Sequence, residues 1–214
     1  NHSIDLWPST IQLNYELEVI GFYFSDHPLS SYPNKFFQEI GVTDYEEIIL
    51  NQDMHKAKLI GSILDIKERS NKDGRKYAFI TVSNQNNQFE MSIFNNTMFV
   101  YRDLLKTGNT LLFNVDISRD NENIKLVIHK VESLEEIYNN QNFKINLYLS
   151  HLNDFVLLDE FISRSTDKNS LFVFCEKNKK LISFNFSNNY KVLDFSKLDR
   201  LNQAKKINYS LEIH

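Results

Sequence analysis

The chain has 214 residues, a formal net charge of −4, 42% hydrophobic and 24% charged residues, five glycines, three prolines and one cysteine. This is the balance of an ordinary globular chain of one large domain or two small ones, and it excludes bulk disorder, a collagen-like repeat and a disulfide-stapled scaffold. Apolar runs fall far short of the ~18 residues of a membrane-crossing helix, and the first residues, with no Met and no basic-then-apolar leader, read as cut from something longer.

Charge is uneven along the chain: −8 over residues 1–55, +3 over 56–132 and +1 over 133–214. A change of sign between neighbours suggests modules with different partners. In the first segment Ile11, Leu13, Leu17, Ile20 and Phe24 approach helical spacing, until Pro28 denies its predecessor the helical region. A short helix follows with Phe36, Phe37 and Ile40 inward and Gly41 as its stop, and Thr43-Asp44-Tyr45-Glu46-Glu47 looks like a capping box opening one more turn.

From Lys58 the period changes to two. Leu59–Ile66 reads as a strand, Lys67–Lys76 as a polar loop turning at Asp73-Gly74, Tyr77–Ser83 as a second strand and, after a turn at Asn84–Asn87, Gln88–Phe94 as a third. Asn95–Lys106 reads as a helix stopped near Gly108, Thr110–Ile117 and Ile124–Glu132 as strands around a turn at Ser118–Asn123. Three strands, a helix and two strands is the order of a five-stranded OB barrel. After a polar joint, strand Phe143–Leu149, helix Leu152–Ser163, a hairpin of Leu171–Glu176 and Leu181–Phe186, a short helix at Phe195–Gln203 and strand Ile207–Ile213 form a small α+β domain. The expected fold class is therefore α+β and multi-module: a helical connector over 1–55, an OB barrel over 56–135 and an α+β domain over 140–214.

OB barrels bind single strands across strands 2 and 3. Along strand 2, Ala78, Ile80 and Val82 suit the interior, which turns Tyr77, Phe79, Thr81 and Ser83 outward; along strand 3, Phe89, Met91 and Ile93 suit it, leaving Glu90, Ser92 and Phe94 outside. One reading makes Phe79, with Tyr77 and Phe94, a stacking platform for bases, each stack contributing about 1–3 kcal/mol. Arg69, Lys72, Arg75 and Lys76 would then meet phosphates, Arg119 would close the far side, and Glu90 would accept from a base amino group. The other reading puts Phe79 beneath a neighbouring domain and leaves the basic loop as a solvated turn.

Several of these residues carry a resemblance. Glu18-Val19-Ile20-Gly21-Phe22-Tyr23-Phe24-Ser25-Asp26-His27-Pro28-Leu29 resembles the E-x-L-G-F-Y-L-S-G-H-P-L signature of the bacterial replicative DNA polymerase III alpha subunit, with Asp26 where that family has Gly. Trp7-Pro8 upstream fits, as do Lys72-x-Gly74-x-x-Tyr77-Ala78-Phe79, Phe89-Glu90-x-x-x-Phe94 and Tyr101-Arg102-x-Leu104-Leu105, so the similarity covers roughly residues 7–135. It implies a non-catalytic C-terminal part of a cytoplasmic DNA-directed DNA polymerase (a nucleotidyltransferase), whose catalytic carboxylates lie upstream and whose OB domain contacts single-stranded template. It also implies replisome partners: the clamp-loader tau subunit at residues 140–214 and the sliding clamp through residues before Trp7. Two rivals stay open, a protein-interaction adapter and an RNA-binding OB module of the kind found in tRNA synthetases.

The sequence offers no catalytic chemistry of its own. Six scattered histidines and one cysteine have no metal-ligand spacing, and no P-loop, G-x-G-x-x-G or G-x-S-x-G motif occurs, so no cofactor and no metal are expected here. His27, before Pro28, reads as a turn residue, and Cys175, in an apolar run, as a packed one.

Overall fold

The computed structural model describes residues 16, 17, 19, 27–120, 123–160, 162–164, 170–177, 180–186, 190–192 and 195–213. A 3-10 turn at Pro28–Ser31 leads into helices α1 (Asn34–Glu39) and α2 (Tyr45–Leu50). Strands β1 (Lys56–Ser70), β2 (Lys76–Ser83) and β3 (Gln88–Phe94) follow, then helix α3 (Asn95–Val100), strands β4 (Thr110–Asp120) and β5 (Asn123–Ser133), and helix α4 (Leu134–Asn139). The remainder runs β6 (Phe143–Leu149), a 3-10 segment Leu152–Glu160, β7 (Ile162–Arg164), β8 (Ser170–Lys177), β9 (Lys180–Asn185), β10 (Tyr190–Val192), α5 (Phe195–Gln203) and β11 (Ile207–Ile213). The chain divides into two units, residues 1–29 with 41–137 and residues 30–40 with 138–214. No helix among the described residues is long and apolar enough to cross a membrane.

The first unit is a closed barrel in the order β1-β2-β3-β5-β4, with β3 and β5 parallel and the other pairs antiparallel. Closure makes β1 serve two neighbours: its first half pairs with β4, its second with β2, and Ser62 pairs with both. At that crossover a Cβ on Gly61 would stand 2.9 Å from the Ser83 carbonyl oxygen and 3.1 Å from Val82 Cβ, so only glycine fits. The neighbouring buried Ser62 is satisfied by Thr110, Oγ to Oγ1 at 2.8 Å. Inward residues of every strand form one core, joined by Ile48 of α2 and Met98 of α3. Tyr45 of α2 stacks on Phe89 at 4.6 Å and 8°.

The second unit is a four-stranded sheet, β11-β6-β8-β9, beside the two-stranded pair β10-β7. Its buried side is Phe143, Ile145, Leu147 and Leu149 with Leu171, Val173 and Cys175 and with Ile207, Tyr209 and Leu211. Residues 30–40 belong to this unit through Phe36, which packs edge-on against Tyr138 and Phe143 at 5.2 and 5.9 Å. Around Tyr209, its hydroxyl donates to Asp199, Asn34 Nδ2 donates to the other oxygen of that carboxylate, and Lys35 Nζ lies 4.1 Å from the Tyr209 ring centre. Burial and then the Asp199 bond push the Tyr209 phenol above its ordinary range, while burial lowers the Lys35 ammonium against the pull of Asp199.

Several expectations change. Of the proposed helix over 10–24 only residues 16, 17 and 19 are described, all three helical; the Trp7-Pro8 pair and most of the Glu18–Leu29 signature lie outside the described residues. Asp44, not Thr43, occupies the N-cap of α2 and makes no side-chain cap; the Thr43 N–H instead donates to the Lys58 carbonyl. Residues 30–40 join the second unit, so 1–55 is not a single structural block. Helix α3 stops at Val100 rather than Lys106, because the chain turns to deliver Leu104 and Leu105 against the barrel core, with Asn109 Nδ2 holding the Leu104 carbonyl at 2.8 Å. Leu152–Ser163 is a 3-10 segment and a strand: pairing of β7 with β10 overrides the local helical pattern. The expected Lys67–Lys76 loop shrinks to five residues, since β1 runs on to Ser70.

Candidate nucleic-acid interface

The interface begins with parity. Along β2 and β3 burial alternates without a break: Ala78, Ile80, Val82, Phe89, Met91 and Ile93 are buried, while Tyr77, Phe79 and Thr81 are half-buried and Glu90 and Phe94 exposed. Phe94 keeps 53% of its surface in solvent. Register then assembles the face. Phe94 lies opposite Tyr77, Ser92 opposite Phe79 and Glu90 opposite Thr81. The Tyr77 ring meets Phe79 edge-on at 5.6 Å and Phe94 at 6.3 Å and 35°. Three aromatic rings thus stand together on the outside of a barrel whose interior already has its own set.

The β1–β2 hairpin supplies the charge. Arg69 pairs across from Tyr77 and Lys67 from Phe79, and directly opposed residues share a face, so both cations stand on the aromatic side. At the tip, Asn71 Oδ1 accepts from the Asp73 and Arg75 N–H groups at 3.0 and 2.8 Å, and Gly74 takes φ +76°, a left-handed conformation that disfavours other residues. This local scaffold holds Lys72, Arg75 and Lys76 exposed around the turn. Among the described residues Arg69, Lys72, Arg75 and Lys76 make no salt bridge, whereas Lys67 is partnered by Asp65 at 3.4 Å.

The opposite end of the face is acidic. Glu90 and Asp65 are exposed there, and Glu46 accepts from Asn87 Nδ2 at 2.7 Å beside the β2–β3 turn. That bond holds the Glu46 carboxyl below the usual carboxylate range and keeps it anionic. A polyanion is therefore drawn to the hairpin end and repelled from the other.

Arg119 requires a correction. It is a β4 residue with the inward parity of Val115 and Ile117, and its guanidinium donates to the carbonyls of Met54, Ile48 and Asn51 at 2.7, 2.7 and 2.8 Å. Those bonds fasten the end of α2 to the barrel and satisfy orphan carbonyls of a helix terminus. Arg119 is thus engaged as a structural clamp, not standing free at the turn as the sequence suggests. His27 fills the turn role expected of it: its Nδ1 accepts from the Leu29 N–H at 3.1 Å and its Nε2 lies 3.1 Å from Ser83 Oγ. Cys175 is buried in β8.

Sequence reasoning missed two features. Lys67 belongs to the aromatic face, which a hairpin register counted back from Asp73-Gly74 would have revealed. Beside Tyr77 and Phe94 there is also an open groove of about 950 Å³ between the hairpin tip, at Asn71, Arg75 and Lys76, and the start of α3, at Asn95, Asn96 and Thr97.

Comparison with known proteins bears on the same stretch. The chain resembles the bacterial DNA polymerase III alpha subunit. The alpha subunit of Rickettsia felis is 30% identical over 137 residues, 63% of this chain and 11% of that protein. That of Halalkalibacterium halodurans is 28% identical over 140 residues, 65% and 12% respectively. The alpha subunit of Borreliella burgdorferi aligns over 204 residues at 26% identity, covering 90% of this chain and 18% of its own, so similarity reaches well into the second unit. The chain thus spans between 11% and 18% of the length of these curated relatives. No family model matches the chain. Solved structures offer distant likenesses: Rim1, a mitochondrial single-stranded DNA binding protein of S. cerevisiae, has a TM-score of 0.34 and 16% identity over 39% of this chain and 97% of that chain. The SSB domain of a Synechococcus protein has 0.32 and 11%, over 38% and 98%.

Proposed function

We propose that this chain is part of the non-catalytic C-terminal portion of a cytoplasmic DNA polymerase III alpha subunit, and that its barrel, residues 56–135, binds single-stranded template DNA. The observation that carries this reading is the outward trio Tyr77, Phe79 and Phe94 standing beside four cations that have no carboxylate partner among the described residues. Stacking on aromatic faces tolerates any base, and neutralised phosphates release counterions, so binding is sequence-tolerant at the platform and salt-sensitive at the hairpin. With Arg69, Lys72, Arg75 and Lys76 as the contacts, log affinity falls with log salt at a slope no steeper than about −3.

The test is fluorescence anisotropy of labelled oligo-dT with the whole chain at low salt. Saturable binding that weakens as salt rises is expected; no change at high micromolar protein overturns the proposal. Competition by oligo-dT against oligo-U then separates DNA from RNA preference. A second role, docking of the clamp-loader tau subunit by residues 140–214, is favoured by the exposed aromatic Tyr148 on the outer face of that unit. Loss of tau pull-down in Tyr148→Ala would support it, and undiminished pull-down would remove that face from the contact.

A further inference from the structure

The groove at the hairpin tip has chemistry that a plain stacking platform does not need. One wall carries Arg75 and Lys76, the aromatic wall carries Tyr77 and Phe94, and the third carries the exposed side chains of Asn95 and Asn96. Its volume of about 950 Å³ falls in the range of small-molecule clefts, about 300–1,000 Å³. Phosphate-binding cations, an aromatic surface and carboxamides are the three group types that hold a nucleotide by its backbone, its base plane and its base edge. The carboxamides are also available. Among the described residues neither Asn95 nor Asn96 makes a side-chain hydrogen bond, and the N-cap of α3 is Phe94, which has no side chain to cap with. Two adjacent solvent-facing asparagines contribute nothing to the barrel core, which draws on Met98 from this helix instead.

We propose that this groove reads one unstacked nucleobase of the bound strand, with the base plane against Tyr77 and Phe94, the adjoining phosphates at Arg75 and Lys76, and the base edge hydrogen-bonded to the amides of Asn95 and Asn96. The proposal rests on the single-strand-binding reading and adds a position at which binding is not indifferent to base identity. An amide offers one acceptor and one donor side by side, and a base edge that presents the complementary pair gains both bonds while one that presents them in poor alignment leaves groups unpaired.

The decisive experiment compares anisotropy titrations of oligo-dT, oligo-dA and oligo-dC on the whole chain and on the Asn95→Ala/Asn96→Ala variant, each at several salt concentrations. Both residues are exposed, so the variant keeps the fold, which unchanged thermal melting verifies. The expected result is a spread of about fivefold or more among the three oligonucleotides on the native chain, the scale of one good bidentate contact. That spread collapses in the variant, while the salt slope, set by the hairpin cations, stays the same. Equal affinity for all three oligonucleotides on the native chain, or a spread that survives in the variant, overturns the base-reading groove and leaves the stacking platform standing. Failure of every oligonucleotide to bind overturns both at once.

Discussion

The two units each display aromatic side chains on the solvent side of a sheet, yet they do so differently. On the second unit, Tyr148 stacks on Phe174 at 5.1 Å and 17°, and Phe174 lies 6.5 Å and 20° from Phe172, so the rings cover one another's faces. Their charged neighbour, Lys144, is held by Glu212 at 3.0 Å, and Asn146 donates to Ser210 and Glu212. On the barrel, Tyr77 and Phe79 meet edge to face, and of the nearby cations Lys67 is paired with Asp65 while Arg69, Lys72, Arg75 and Lys76 make no salt bridge among the described residues. Exposed aromatic area alone does not make a surface suited to a polyanion. Rings whose faces stay open, next to charge that is not already neutralised, do.

That contrast breaks most sharply on the rings themselves. Phe79→Ala removes a stacking partner worth about 1–3 kcal/mol, so oligo-dT affinity should fall by one to two orders of magnitude, while Tyr148→Ala changes it less than twofold. Parallel losses in anisotropy titrations would erase the distinction between the two faces. Arg119→Ala sharpens it from the side of stability. Removing three hydrogen bonds from a charged donor should lower the unfolding free energy of the barrel unit by about 2 kcal/mol in urea melts, with oligo-dT affinity measured on the folded protein unaltered. A large affinity loss in the folded variant would return Arg119 to the interface.

A third probe addresses the second unit alone. The Tyr209 phenol is raised above its ordinary value of 10.0 by burial and by Asp199, so the folded state holds its proton where the unfolded state releases it. The stabilisation is fully present below pH 10 and declines as pH rises above it. Thermal melts of the native chain should show that alkaline decline, and Tyr209→Phe should lack this component; an identical decline in both would assign it elsewhere. The smallest effects belong to single surface charges. Lys72→Ala should weaken oligo-dT binding a few-fold at low salt and hardly at all at high salt, whereas the Phe79→Ala loss persists, because screening acts on charge and not on stacking. Glu90→Gln should strengthen binding slightly at low salt, and a weakening there would mean that Glu90 accepts a hydrogen bond from a base.

Much of the barrel was legible in the sequence because its signals are local. Alternation of Ala78, Ile80 and Val82 with Tyr77 and Phe79 states which side is core, and Asp73-Gly74 states where the hairpin turns. The same locality set the limits. From sequence Arg119 reads as a phosphate contact, because a basic residue near a turn looks free. The carbonyls that take it belong to residues 48, 51 and 54, some 65 to 71 positions away. Residues 30–40 read in sequence as part of one connector, but the aromatic contacts of Phe36 lie with Tyr138 and Phe143. The helix expected over 152–163 gave way to β7, whose partner β10 follows after two further strands.

By itself the sequence determined the order of strands and the face to which each side chain turns, since alternation and turn chemistry act over a few bonds. Only the tertiary structure decided which charges remain available. An arginine, a lysine or an asparagine is committed or free according to what the folded chain brings within about 3 Å of it, the reach of a hydrogen bond. On this molecule that reach takes Arg119 and Lys144, and among the described residues it leaves Arg69, Lys72, Arg75 and Lys76 without a carboxylate partner beside the rings.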